Sequence, residues 1–364
     1  MYLILRSNLC SKEKPNGLFN TRDEYLWVKK DAIGLIEAQG LFVLSSDFLK
    51  RLEIIKYALL NNKISHDFWH IYAKIKAYCN NVFSEESVSF AIKKGLGEIC
   101  MEIRNKEFDN GNPWDFGKTS ANYAKFRDIY PEEFYKKLVE LKLGVKGQNI
   151  LDLGTGTGVL PRNMYKYGGK WTGTDISDNQ IKYAKELSQA AGMDIEYKVS
   201  SSEDLEFPAA SFDVITACQC FGYFDKSIIL PKINSFLKAD GHFAVLFMAW
   251  IPSENEIAAK TEELVLKYNP DWNGCNMQRY PVTEPDWAAP YLTLANGVGF
   301  DVPVNFTRES WHGRIKTCRG IGASKLTAEE IAAWEKEHLA FLSTLPETFD
   351  IIHYVTILDF VKNS

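Results

Sequence analysis

Apolar residues recur along this chain at two spacings, and the spacing changes partway along. Phe48, Leu52, Ile55 and Leu59 share one helical face, and Phe68, Ile71, Ile75, Tyr78 and Val82 share another. A third helix is expected over residues 87–103, weakened by Gly95 and Gly97. Ahead of these helices, short apolar runs at 2–5, 25–28 and 40–44 predict strands, with a turn at Pro15, Asn16 and Gly17. From residue 132 onward, helical and strand-length segments alternate. Helices are predicted over 132–143, 159–167, 179–191 and 327–342, and strands at 149–153, 171–175, 194–199, 211–217, 243–251, 300–306 and 351–360. Ile181, Ala184 and Leu187 mark an inward helix face, and Thr327 with Glu330 reads as a capping box. Such alternation predicts an α/β fold, a doubly wound sheet with flanking helices, preceded by a small α+β segment.

The strand at 149–153 carries Asp152 near its end and runs into Gly154, Gly156 and Gly158. Glycines there let the chain turn sharply and approach a ligand with no Cβ in the way. The helix that follows would point its N-terminus at the same ligand. A dinucleotide fingerprint would need glycines in the order G-x-G-x-x-G, and Val159 occupies the third place. Asp152 is also a poor neighbour for a pyrophosphate, whereas a ligand carrying an ammonium and a sulfonium would suit it. A second acid, Asp175, closes the next strand 23 residues later, where a carboxylate can accept hydrogen bonds from ribose hydroxyls.

The run from Asp152 to Gly158 resembles the S-adenosylmethionine loop of class I methyltransferases. This resemblance implies a Rossmann-like, seven-stranded class I methyltransferase sheet over about residues 101–364. It also implies cofactor contacts from Asp152, Gly154, Thr155, Gly156, Gly158, Asp175, Ile176 and Gln219. Tyr123, Phe126, Arg127, Tyr130 and Pro131 resemble the family's N-terminal cap helix, expected to stop at the proline. Arg127 is then either a partner for the methionyl carboxylate or a surface arginine. Residues 200–208 resemble the segment that lies along the adenine; Ser201 and Glu206 depart from its pattern, which leaves the contact to Ser202 and Glu203. The loop 218–225 is expected beside the methyl group, with Tyr223 positioning the acceptor. Trp311, His312, Gly313 and Arg314 resemble a substrate-side segment of the quinone-biosynthesis-related subgroup, and His312 is the candidate base. Residues 250–290, rich in tryptophan and tyrosine, are expected to form either a lid or extra core helices.

The first hundred residues carry a different resemblance. Residues 3–8, 15–19 and 29–44 are similar to the C-terminal end of Gram-positive-type galactose-1-phosphate uridylyltransferases. That family's histidine-rich run reads here as residues 20–27 without a histidine, and its His-Pro-His nucleophile is absent, which argues against uridylyl transfer. An accessory segment over 1–100, kept for packing or association, is the expectation. His66 and His70 share a helix face without a third ligand, and Cys218 and Cys220 have no partner pair, so no metal site is expected.

Composition narrows the class further. The first hundred residues hold 14 basic and 11 acidic side chains, the remainder 28 and 36, with no basic stripe suited to nucleic acid. Seven scattered cysteines form neither a disulfide framework nor a zinc spacing. Met1 to Arg6 lack the basic start of an export signal, and no run of about 18 apolar residues is present, so a cytoplasmic protein is expected. The function expected is methyl transfer from S-adenosylmethionine to a small-molecule acceptor. The alternatives are a non-catalytic S-adenosylmethionine sensor or scaffold and, given Val159, less readily an NAD-dependent oxidoreductase.

Overall fold

A computed structural model of the 364-residue chain describes residues 108–363 apart from position 281, together with six short strands before them. The chain divides into two compact units, Met1–Asp115 and Phe116–Ser364.

In the first unit Leu3–Leu5 pairs antiparallel with Leu41–Leu44 and parallel with Phe90–Ile92, and Ile36–Ala38 forms the other edge. Lys12–Glu13 pairs antiparallel with Phe19–Asn20, bracketing Pro15, Asn16 and Gly17. The expected strands at 2–5 and 40–44 are present. Part of the helix expected over 87–103 is instead the edge strand Phe90–Ile92. Phenylalanine and isoleucine suit a sheet, while Gly95 and Gly97 shorten the segment available to a helix. The strand expected at 25–28, the helices between 47 and 83, and His66 and His70 lie outside the described residues.

The second unit is built on seven strands: β1 (Asn149–Leu153), β2 (Lys170–Asp175), β3 (Glu196–Val199), β4 (Phe212–Cys218), β5 (Leu237–Trp250), β6 (Leu292–Thr307) and β7 (Thr348–Lys362). Their order across the sheet is β6-β7-β5-β4-β1-β2-β3. β1 to β5 run parallel, and β7 is antiparallel to both β5 and β6. The order reverses direction at β1 and β4, so the crevice for a ligand opens at the carboxyl ends of those strands. Eight helices flank the sheet: α1 (Ser120–Phe126), α2 (Glu132–Glu140), α3 (Val159–Met164), α4 (Asp178–Ala190), α5 (Lys226–Phe236), α6 (Glu256–Tyr268), α7 (Arg308–Lys316) and α8 (Ala328–Ser343).

Successive side chains of a strand point to opposite faces, and β1 serves both layers. Ile150 packs with Phe134 and Leu138 of α2, Met164 of α3, Trp311 of α7 and Trp334 of α8. Leu151 and Leu153 pack on the other side with Ile229 and Ile233 of α5 and with Phe243 and Phe360. Central strands buried on both faces read as continuous apolar runs, and β1 accordingly buries four of its five residues. β7 at the antiparallel side alternates instead.

Several boundaries differ from expectation. α1 ends at Phe126, with Arg127 as its C-cap, instead of continuing to Pro131, which caps the start of α2. On α4, Leu187 is half-buried, and Ser188 takes the inward place through a 3.0 Å hydrogen bond with the Tyr197 hydroxyl. The capping box of Thr327 and Glu330 opens α8 as expected, and Thr307 with Ser310 forms a second one on α7. Much of the aromatic stretch 250–290 is packed: Trp250 and Trp272 are core residues, α6 buries Ala258, Leu264 and Val265, and only Tyr280 stands well exposed. Among the described residues no helix is long and apolar enough to cross a membrane.

Candidate active site

β1 ends in Gly154, whose φ is +60°, followed by Gly156 at +57° and Gly158 at +73°. These left-handed angles are strained for any residue with a Cβ. Space is short as well. A Cβ on Gly158 would lie 2.3 Å from the Tyr197 hydroxyl oxygen, and one on Gly154 would lie 2.8 Å from Cys220 Sγ. The loop is then tied to the end of β2. The Gly156 amide donates to Asp175 Oδ2 at 2.9 Å and the Thr155 amide to the Thr174 carbonyl at 2.8 Å. Asp175 Oδ1 accepts from the Ser177 amide at 2.9 Å. Each Asp175 oxygen accepts one amide and keeps a lone pair for a further donor. Burial raises the Asp175 carboxyl above its ordinary range, opposed by those two amides.

Asp152 is buried and accepts a 2.6 Å hydrogen bond from the Thr216 hydroxyl of β4. Burial lifts its carboxyl to about 7, against the pull of the Thr155 and Thr216 hydroxyls. A cation placed beside it would favour its charged form.

One cavity joins the loop to α1 and α7. Of the residues expected at the cofactor, Tyr123, Arg127, Asp152, Gly154, Thr155 and Gln219 line it together. Ser202 and Glu203 lie on the short turn after β3; Ser202 is buried, and Glu203 Oε1 accepts from the Asp225 amide that opens α5, at 3.0 Å. Ile176 follows Asp175 directly and is half-buried.

The two expected acceptor-side residues are placed differently. Neither His312 nor Tyr223 lines the cavity. The His312 ring stacks on Trp334 at 5.1 Å and meets His338 through their Nδ1 atoms at 3.0 Å, with Glu335 beyond. Burial lowers its pKa although Glu335 opposes that. Tyr223 packs edge-on against Phe116 with the Arg319 guanidinium 5.9 Å above its ring. The reason His312 faces away is helical geometry. Two residues along a helix turn about 200°, so Arg314 faces the cavity when His312 faces α8.

Tyr130, Cys218 and Arg314, which the sequence offered only as members of the cap helix, the methyl-side loop and the substrate-side segment, also line the cavity. Cys218 Sγ lies 3.5 Å from the Tyr130 hydroxyl. Burial pushes the Tyr130 phenol well up and the Cys218 thiol to about 12, so both keep their protons near neutrality. Arg127 donates through Nε to Thr317 Oγ1 at 2.9 Å and through Nη2 to the Thr317 carbonyl at 3.1 Å, while its guanidinium covers the Tyr123 ring at 4.7 Å. A charged residue buried on the inward side of α7, next to Trp311 in the sequence period, was the available signal for Arg314. Among the described residues no three His, Cys, Asp or Glu side chains gather as metal ligands.

This geometry can be set beside known proteins. Residues 150–241 match the methyltransferase domain family. A ubiquinone biosynthesis O-methyltransferase of Xanthomonas axonopodis pv. citri is 28% identical over 134 residues, 36% of this chain and 56% of that enzyme. A galactose-1-phosphate uridylyltransferase of Bifidobacterium longum is 35% identical over 107 residues, 28% of this chain and 21% of that enzyme. The solved YcgJ protein of Bacillus subtilis aligns with 64% of this chain and 100% of its own, at 18% identity and a TM-score of 0.42. The chain therefore spans about half the length of the methyltransferase relative and a fifth of the uridylyltransferase. With its seven-stranded order and glycine loop, the second unit carries a class I S-adenosylmethionine-dependent methyltransferase domain. The cofactor of that class is S-adenosylmethionine, and the residues present fit it: a glycine loop in which Cβ atoms at Gly154 and Gly158 would clash, Asp175 with free lone pairs, and the buried Asp152 carboxyl on the cavity wall.

Proposed function

We propose that the protein transfers the methyl group of S-adenosylmethionine to a small-molecule acceptor. The observation that carries this reading is the single cavity shared by Asp152, the glycine loop, Arg127 and Gln219. Bound there, the cofactor supplies a methyl group activated by its sulfonium. In the transfer, the acceptor–carbon bond forms as the carbon–sulfur bond breaks, and the electron pair stays on sulfur in S-adenosylhomocysteine.

Asp175 would accept the ribose hydroxyls, with Ile176, Ser202 and Glu203 beside the adenine. Asp152 faces the cationic end, and the Nη1 of Arg127, which carries no hydrogen bond to Thr317, is available to the methionyl carboxylate. The chain's main contribution is alignment of donor and acceptor, an effect worth roughly 7–11 kcal/mol in favourable cases. Tyr130 and Cys218 hold their protons and cannot act as bases at neutral pH. An acceptor atom that is nucleophilic without a base suits this wall best. The test is turnover with methyl-labelled S-adenosylmethionine against a metabolite panel. Label passing to a small molecule supports the reading; cofactor binding with no transfer to any panel member supports a sensor.

A further inference from the structure

Arg314 is buried to 7% exposure on the cavity wall. Its Nη1 reaches only Cys318 Sγ, at 3.1 Å, a weak acceptor, and its buried Nε has no partner. The guanidinium rests 5.1 Å from the Trp250 ring, whose indole N–H is already given to Glu262 at 2.7 Å. Arg127 lines the same cavity, and among the described residues neither arginine forms an ion pair. Against these two cations the cavity lining offers one carboxylate, Asp152. A buried guanidinium with an unmet donor is costly, and Arg314 is the buried cation without a full set of partners that lines this cavity.

The cofactor does not supply the missing anion. It brings one carboxylate and two cationic centres, an ammonium and a sulfonium. Asp152 offsets the ammonium and the methionyl carboxylate offsets Arg127, which leaves Arg314 and the sulfonium unmatched. The Tyr130 hydroxyl lines the same wall as a further proton donor. Resting on the methyl-transfer reading, we propose that the acceptor bears an oxyanion, a carboxylate or a phosphate, seated on Arg314 and Tyr130. The planar fork of the guanidinium fits either group with two parallel hydrogen bonds.

The test uses the full chain saturated with S-adenosylhomocysteine and titrated calorimetrically with benzoate, phenyl phosphate and the neutral benzamide. At least one anion is expected to bind about 10-fold or more tightly than benzamide, and the better of the two anions identifies the oxyanion. Arg314→Gln should weaken that anion about 10- to 100-fold with unchanged affinity for S-adenosylhomocysteine, and Arg314→Lys should fall between. Benzamide binding as tightly as both anions, or no anion binding, would overturn the proposal on the wild-type protein alone. So would Arg314→Gln losing S-adenosylhomocysteine while keeping the anion, since Arg314 would then clamp the cofactor. Failure of the wild type to bind S-adenosylhomocysteine would instead refute the methyl-transfer reading itself.

Discussion

The side of the sheet made by β1 to β4 and the side that holds the antiparallel β7, β5 to β7 with α6 to α8, bury polar groups in different ways. In the second half many of them are paired with one another. Trp311 Nε1 donates to Thr261 Oγ1 at 3.0 Å, Thr261 meets His338, and His338 meets His312. Asp359, fully buried, is held by His242 and Asn296, each at 2.8 Å. At the carboxyl ends of β1 and β2 the polar groups keep capacity in hand: Asp175 has free lone pairs, and Asp152 is buried with one strong hydroxyl donor at 2.6 Å. The contrast separates groups that hold the fold from groups that await a ligand. Asn269 Oδ1, Trp334 Nε1, His353 Nε2 and Arg314 Nε of the structural half are buried without a partner, and of these four residues Arg314 is the one that lines the cavity.

The sharpest way to break this comparison is to cut each half at its centre. Trp311→Ala removes a fully buried indole packed against Trp250 at 5.1 Å and Phe306 at 4.9 Å. It should cost about 3–5 kcal/mol of stability in denaturant unfolding. A loss under about 1 kcal/mol would mean the aromatic layer does not hold this half together. Asp175→Ala, by contrast, should act on binding. Loss of its charge-assisted hydrogen bonds is worth about 1.5–3 kcal/mol, or roughly 10- to 150-fold in the Kd for S-adenosylhomocysteine. Normal binding by that folded variant would remove Asp175 from the site.

The structural half also predicts an acid-sensitive fold. Burial lowers His338 to about 3, with His312 adding to the effect, and lowers His353 to about 4, with Arg314 nearby. Both are basic groups depressed in the folded state, so the unfolded chain takes up their protons first. The histidine contribution should therefore be full above the unfolded histidine value of about 6.5 and be lost as pH drops from there toward about 4, opposed in the same window by Asp152, whose raised carboxyl favours the folded state as pH falls below about 7. Each group contributes on the order of 1 kcal/mol per pH unit in that window, and His338→Gln should flatten the slope measured by denaturation at several pH values. An unchanged slope in the variant would relieve His338 of this role. The smallest effect is expected at the other end of the chain. A fragment of residues 101–364 should bind S-adenosylhomocysteine like the full chain, because every proposed cofactor residue lies beyond Tyr123. A fragment that stays folded but cannot bind would make the first hundred residues part of the site.

What was legible in the sequence was local. The strand, the three glycines and Asp152 fall within ten residues of Asn149, and Asp175 ends the next strand. The reason for the glycines, contact with Tyr197 and Cys220, is visible only in three dimensions, but the left-handed turn they permit is written in their spacing. Arg314 was legible only as part of the substrate-side segment 311–314, since the cavity it shares with Arg127 joins segments far apart in the chain. The helical period sets His312 and Arg314 on opposite faces without saying which face is inward. His312 was chosen for its chemistry, and the packing of Trp334 and His338 turned it to α8. Within the helix expected over 87–103, residues 90–92 form a strand for a different reason, because apolar residues there satisfy either element.

The central claim is that the ends of β1 and β2 form a site for S-adenosylmethionine and not for a dinucleotide. Calorimetric titration of the full chain with S-adenosylhomocysteine and, separately, with NAD tests it most directly. The account predicts one molecule of S-adenosylhomocysteine bound per chain and no detectable heat from NAD. Comparable binding of both, or binding of NAD alone, would contradict it.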